Sequence, residues 1–337
     1  KSGSRGSQMR AKTLLPTLIS AIILLGGSFF VDFSVIGESL RTISLLHVVY
    51  LVGLTFLTFF LKAIRWHYMI QEVGNTDWLL DVLSSFGSSA LLFFAPNVTA
   101  DAYKGGIASQ IYDTVSFREG TAASLFEKLL GLIILLLISF AGLLFYAFFI
   151  DYGEVSLFLV IFVVISTLFG FLFHSSLLHI LSFFRDFMPL NSVKKILRQL
   201  KLFVEDLHGF KDSFFDFAVV ICLTMIIEAL LGLRIFAFFQ AIGINVSILV
   251  SFVLYSVSSV IGAISMLPLG LGSKDVAFTS LSVLFGLSPE TGSVGAILDR
   301  ATMLLLLPLF VGCFIYLNHV TTINWDGISK STERTEL

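Results

Sequence analysis

Runs of about 20 apolar residues, the length that carries a helix across the hydrocarbon core of a bilayer, recur through this chain. They lie near Thr13 to Val31, Ile43 to Leu61, Thr121 to Ile150, Val155 to Phe173, Phe217 to Phe239 and Ser293 to Leu317. With 56% hydrophobic and 13% charged residues and a mean hydropathy of +0.95, too little polar surface exists to coat a water-soluble particle of 37.2 kDa. The expected fold is therefore an all-α polytopic membrane protein with six full crossings. The formal net charge of -2 says little, because in such a chain the placement of Lys and Arg matters more than their sum.

Two further apolar stretches, 79–112 and 246–285, are long enough for a helical hairpin but are broken by PNVTADAYKGG and PLGLGSKD. A polar turn at membrane depth survives only where protein or a water-filled cavity satisfies its backbone, since lipid offers no hydrogen bonds. Both stretches are expected to be re-entrant hairpins whose turns, at Pro96 and at Pro268, Gly270 and Gly272, face the protein interior.

The two halves echo each other. Pro96 stands as far ahead of Glu127-Lys128 as Pro268 does of Asp299-Arg300, and the one offset of 172 that relates them also relates Ser116 to Ser288 and Gly120 to Gly292. With the N-terminus placed inside, the positive-inside rule leaves only Arg41, Arg234 and Lys274 on the exterior. One hairpin then dips from the cytoplasm and the other from the exterior, an inverted-topology repeat of the kind that places transporter sites near the midplane. The expected organisation is an expression remnant at 1–8, an N-terminal span within 9–42, repeat 1 at 43–173, a cytoplasmic amphipathic linker at 174–213, repeat 2 at 214–317 and a cytoplasmic tail at 318–337. In the linker, Ile196, Leu200, Phe203, Leu207 and Phe210 share a face opposite Lys194, Lys195, Arg198 and Lys201, as in an interfacial helix or one packed beneath the bundle. Trp66, Trp78 and Trp325 fall at expected boundaries and suit headgroup-level anchors.

Charge inside a span costs roughly 2.5 to 3.5 kcal/mol per residue on insertion scales, so such groups must be paired or hydrated. The members of Glu127-Lys128 and of Asp299-Arg300 point about 100° apart on their helices, and each acid and base can address a different neighbour. The hairpin turns add Asp101 with Lys104 and Lys274 with Asp275. Two readings stand side by side. In one, these are structural ion pairs that lock each hairpin to its span. In the other, Lys104, Lys128, Lys274 and Arg300 bind an anionic headgroup while Asp101, Glu127, Asp275 and Asp299 orient them, Arg300 being able to grip phosphate bidentately. Gly270 and Gly272 either break a helix or let backbone amides approach an anion ahead of a half-helix starting near Ser273. Lys62, Arg65 and Arg234 are snorkelling flanks or lipid-recruiting mouths, the offset from Lys62 to Arg234 again being 172. Glu228, mid-span, has no sequence-local partner; Arg234, Arg300 or a coupling proton are its options.

No P-loop, HExxH, GxSxG or loop-borne DxD motif is present, which argues against an autonomous ATPase or transferase. His174 and His179 are spaced poorly for one helical face, the other histidines are scattered, and Cys222 and Cys313 sit alone in apolar sequence. Neither a metal nor a cofactor is expected.

LKAIRW, the turn carrying Pro96, Asp101 and Lys104, SLFEK, LPLGLGSKDVAF and ILDRATML, taken in that order, resemble the lysylphosphatidylglycerol synthase transmembrane-region, or flippase-like, family over residues 10 to 318. The family commonly has Glu at the places of Asp101, Asp275 and Asp299, Gly at Ala100, and Arg at Lys104 and Lys128. The resemblance implies a translocating unit without the aminoacyltransferase domain that some members carry, with a phospholipid or a polyprenyl-phosphate-linked lipid as substrate. The expectation is a plasma-membrane lipid translocase with both termini cytoplasmic, its halves rocking to alternate access. A membrane subunit of a lipid-modifying transferase and a carrier of small anions are the alternatives. Expected partners are membrane lipid, and as options a separate transferase or a second copy; nucleic acid is not expected.

Overall fold

The computed structural model describes residues 37–38, 41–95, 97–149, 214–265 and 267–321. Within them the chain forms α1 (Leu45–Gln71), α2 (Trp78–Leu91), α3 (Asn97–Ile111), α4 (Phe117–Phe149), α5 (Phe214–Ala241), α6 (Ile248–Ile264), a 3-10 turn (Pro268–Gly270), α7 (Ser273–Leu284) and α8 (Pro289–Thr321). The spans expected at Thr13 to Val31 and Val155 to Phe173, the linker at 174–213, Trp325 and Pro96 lie outside the described residues.

Among the described residues four helices, α1, α4, α5 and α8, are long and apolar enough to cross a membrane. The chain is a polytopic helical membrane protein. The other four, α2, α3, α6 and α7, all fall short of the roughly 20 residues that a crossing needs. They occupy the two stretches expected to be hairpins.

Matching caps start the matching helices. Asp77 accepts from the Leu80 amide (3.1 Å) ahead of α2, and Ser247 accepts from the Val250 amide (3.2 Å) ahead of α6. Each satisfies one of the amides that a helix start leaves without a partner. Ser116 opens α4 with a reciprocal box, its hydroxyl accepting from the Glu119 amide while Glu119 accepts from the Ser116 amide. Ser288, 172 residues on, accepts from the Thr291 amide ahead of α8.

Packing follows the same doubling. α1 packs on α2, α2 on α3 and α3 on α4, just as α5 packs on α6, α6 on α7 and α7 on α8. The halves interlock through α2 against α8 and α6 against α4, with α1 against α5 at the centre. Two side-chain bonds fix the direction of that central pair. Arg65 Nη1 donates to Thr224 (3.0 Å) and Arg234 Nη1 donates to Thr55 (3.3 Å), so α1 and α5 run antiparallel. The largest apolar cluster is built around this centre from Leu51, Leu135, Ile227, Leu231, Phe238 and Val253 with their neighbours.

Small residues set how closely the last two helices of each half approach. A Cβ on Gly105 would lie 2.8 Å from Thr121 Cα, and one on Gly120 would lie 2.9 Å from Gly105 Cα. One on Gly292 would meet Thr279 Cα and Ser282 Cβ, each at 2.9 Å. Because the obstacles are backbone and Cβ atoms, the helices themselves must move to admit a side chain. Gly120→Val and Gly292→Val are each expected to cost about 2 to 3 kcal/mol or to abolish assembly, read as loss of monodisperse protein and a lower midpoint in detergent thermal unfolding. Gly312→Ala, whose Cβ would meet nothing within 4 Å, is expected to match the parent chain.

Candidate functional site

Each half buries one polar cluster where its second short helix meets the long helix that follows. In the first, α4 supplies Glu127 and Lys128, α3 supplies Asp101 and Lys104, and α1 supplies Arg65. The two adjacent residues of α4 do turn to different partners. Glu127 accepts from Arg65 Nη2 (2.8 Å) and Nε (3.2 Å) on one oxygen and from Lys104 Nζ (2.8 Å) on the other. Lys128 donates to Asp101, whose second oxygen accepts from Ser124 (3.0 Å).

The second cluster repeats this wiring. Asp299 of α8 accepts from Arg234 of α5 and, on its other oxygen, from Lys274 of α7 (2.9 Å). Arg300 donates from Nε (3.1 Å) and Nη2 (2.9 Å) to Asp275 Oδ1, and Asp275 Oδ2 accepts from the Gly272 amide (2.9 Å). Each cluster thus joins three bases to two acids among the described residues. Arg65, Glu127, Asp101 and Lys104 of the first cluster and Arg234 and Asp299 of the second are buried, whereas the Lys128 side chain is 41% exposed.

The central bonds set the spacing. Thr55 and Arg65 are ten residues apart on α1, as are Thr224 and Arg234 on α5. At about 1.5 Å of rise per residue, the clusters lie roughly 15 Å apart along the pair. The turn before α7 is tied to the second cluster as well. Gly270 and Gly272 take positive φ (65° and 81°), and Leu269, with φ 50°, is held in the left-handed region while Arg300 Nη1 donates to its carbonyl (3.0 Å). Asp275 already occupies the Gly272 amide, so this turn does not offer that group to a ligand.

The eight sequence-predicted headgroup and orienting residues all fall in these two clusters; two details differ from expectation, and the options for Glu228 narrow. Arg65, not Lys62, plays the part of Arg234: the offset that works on α1 and α5 is 169, relating Arg65 to Arg234 and Thr55 to Thr224. Lys62 instead sits over the Phe59 ring (5.1 Å to the centroid). Glu228 pairs with neither Arg234 nor Arg300, both committed elsewhere; it accepts from the Tyr255 hydroxyl (2.6 Å). Trp66 is no boundary anchor: it is fully buried, donates to Ser84 (3.0 Å) and lies beneath Lys104 Nζ (4.5 Å to the ring). An indole that must carry a hydrogen bond and face an ammonium gains more inside the bundle than at the headgroup level. Trp78 is half-exposed.

One cluster went unread in the sequence. His67 and Asp81 are 2.7 Å apart, Tyr112 donates to the other Asp81 oxygen (3.0 Å), and Gln71 contacts the far ring nitrogen of His67 (2.7 Å). Its members come from α1, α2 and the residue after α3, so only their spatial meeting reveals it. Among the described residues no group of three or more His, Cys, Asp or Glu residues could hold a metal ion.

Residues 14–312 match the family described as lysylphosphatidylglycerol synthase TM region. The chain belongs to this family. No curated protein matches it. Within this lysylphosphatidylglycerol synthase TM-region chain, both polar clusters lie inside the matched residues. Arg234 is fully buried, and truncating one partner of a buried pair strands the other charge. Arg234→Met is therefore expected to destabilise the chain by about 3 to 5 kcal/mol. Thr55→Val, which removes the hydrogen bond that Arg234 Nη1 donates to Thr55, is expected to cost about 2 kcal/mol. Thermal unfolding in detergent, with both variants beside the parent, checks the ratio.

Proposed function

We infer that this chain is a lipid translocase whose substrate has an anionic headgroup, a phospholipid or a polyprenyl-phosphate-linked lipid. The observation that carries the reading is the second cluster, where three bases, Arg234, Lys274 and Arg300, face two acids, Asp299 and Asp275, among the described residues. A structural ion pair needs one base per acid; a surplus positive charge costs desolvation energy unless an anion completes the cluster. The family supports a membrane protein of the flippase-like kind.

In this reading the two broken stretches are re-entrant hairpins of an inverted repeat, consistent with the antiparallel α1 and α5 and with helices too short to cross. The first opens to the cytoplasm and the second to the exterior of the plasma membrane. A headgroup enters one cluster, displaces the half-exposed Lys128 from Asp101 or Arg300 from Asp275, and passes along the α1–α5 pair to the other cluster while its tails stay in lipid. Lysines act as point charges and Arg300 as a fork for phosphate. Glu127 and Asp299 keep their buried guanidinium partners throughout and brace the walls.

Reconstituted into phosphatidylcholine vesicles with a fluorescent phosphatidylglycerol, the parent chain is expected to expose inner-leaflet label to a membrane-impermeant quencher. Lys128→Ala and Arg300→Ala are each expected to slow this at least tenfold while keeping the unfolding midpoint within a few degrees. Parental rates in both variants would show that the clusters are structural and sink the reading.

A further inference from the structure

The two clusters obey the internal symmetry; Glu228 and Lys62 break it. Applying the offset of 169 that relates Arg65 to Arg234 places Phe59 opposite Glu228 and Leu231 opposite Lys62. Each half therefore contributes one ionisable side chain where the other half has an apolar one. Their position is as distinctive as their chemistry. In the antiparallel register fixed by the Arg65–Thr224 and Arg234–Thr55 bonds, residue 62 lies level with residue 227, so Lys62 and Glu228 share one level between the two clusters.

Glu228 differs from the four cluster acids in its partners. Each of those accepts from at least one ammonium or guanidinium. Glu228, buried on α5, accepts from a neutral hydroxyl alone among the described residues, that of Tyr255 on α6. The charged groups facing it are Lys62 and Arg65 from α1 and Lys274 from α7, all by Coulombic proximity without an ion pair. α4 brings Gly131, whose Cβ would lie 3.7 Å from Glu228 Oε1, and α8 brings Asp299 to Arg234 further along α5. Lys62 likewise makes no ion pair among the described residues, and Glu228 is the strongest charge acting on it.

Taking the translocase reading as its starting point, we propose that Glu228 is a proton-carrying site: it binds one proton with each anionic headgroup that passes. The carboxylate forms an O–H bond with a proton from one aqueous face and breaks it toward the other. Each proton bound raises the net charge at the Lys62–Glu228 level by one. The extra charge is present when the headgroup crosses between the clusters, where an uncompensated anion is most costly. The two clusters alone give a proton gradient no hold on the headgroup; a titrating group between them couples the two, and the gradient sets the direction.

Two measurements on the full chain test this. Infrared pH-difference spectra of the reconstituted protein are expected to show a carboxylic C=O band that titrates in the parent and is lost in Glu228→Gln. This readout needs no lipid movement, so it stands even if the parent moves no labelled phosphatidylglycerol, a result that would count against the translocase reading alone. In the vesicle assay, an imposed pH difference is expected to speed labelled phosphatidylglycerol movement in one direction in the parent, with uptake of protons reported by an internal pH dye. Glu228→Gln is expected to lose both responses, and Glu228→Asp to retain them. Persistence of the titrating band or of the gradient response in Glu228→Gln, or lipid movement indifferent to pH in the parent, overturns the proposal.

Discussion

Both charged clusters of this bundle hang on two buried arginines. Arg65 and Arg234 each hold a carboxylate in their own half and donate to a threonine on the first helix of the other half. In a medium without water these bonds have few competitors, and an unmatched guanidinium there would be costly. They therefore do three things together: they neutralise Glu127 and Asp299, they set α1 and α5 antiparallel, and they fix how far apart the two clusters lie. The short helices, the turn at Leu269 and the exposed face of Lys128 are arranged around distances those two residues define.

The doubling was legible because its strongest signals are covalent spacings. Glu127 and Asp299, Lys128 and Arg300, Gly120 and Gly292, and Ser116 and Ser288 all keep one offset, since α4 and α8 run without interruption from cap to cluster. The offset fails on α1 and α5, where Lys62 and Arg65 stand nearly one turn apart. Three residues turn a helix by about 300°, leaving both side chains near the same face, so spacing could not choose between them. It fails again on the turns, where Asp101 precedes Lys104 but Lys274 precedes Asp275. The wiring is nevertheless the same, because long lysine side chains reach their acid from either side of it. Trp66 was misread for a related reason: proximity to a span end in sequence is blind to the burial that Ser84 and Lys104 impose.

Within each cluster the acids are shared unequally. Glu127 and Asp299 each satisfy both oxygens with two cations, one of them a guanidinium buried in the bundle. Asp101 and Asp275 each hold one cation, supplemented by the Ser124 hydroxyl or the Gly272 amide. The outer pairs can therefore open at lower cost than the inner ones, and the polar interior has a fixed part and an exchangeable part. A carboxylate left by its base still has a neutral donor, so opening does not strand it entirely.

The interlocking of α2 with α8 has a consequence for how such a chain is made. Ser84, Ser88 and Ala90 are buried, and a Cβ drawn on Gly87 would lie 3.2 to 3.3 Å from the Phe314 backbone. That partner is synthesised more than two hundred residues later. Until α8 arrives, the face of α2 that carries Phe86 and Gly87 has no mate, and at about 5 to 20 residues per second it waits for at least ten seconds. The first half is thus an unfinished object for most of its synthesis, and the order of insertion is not the order of assembly.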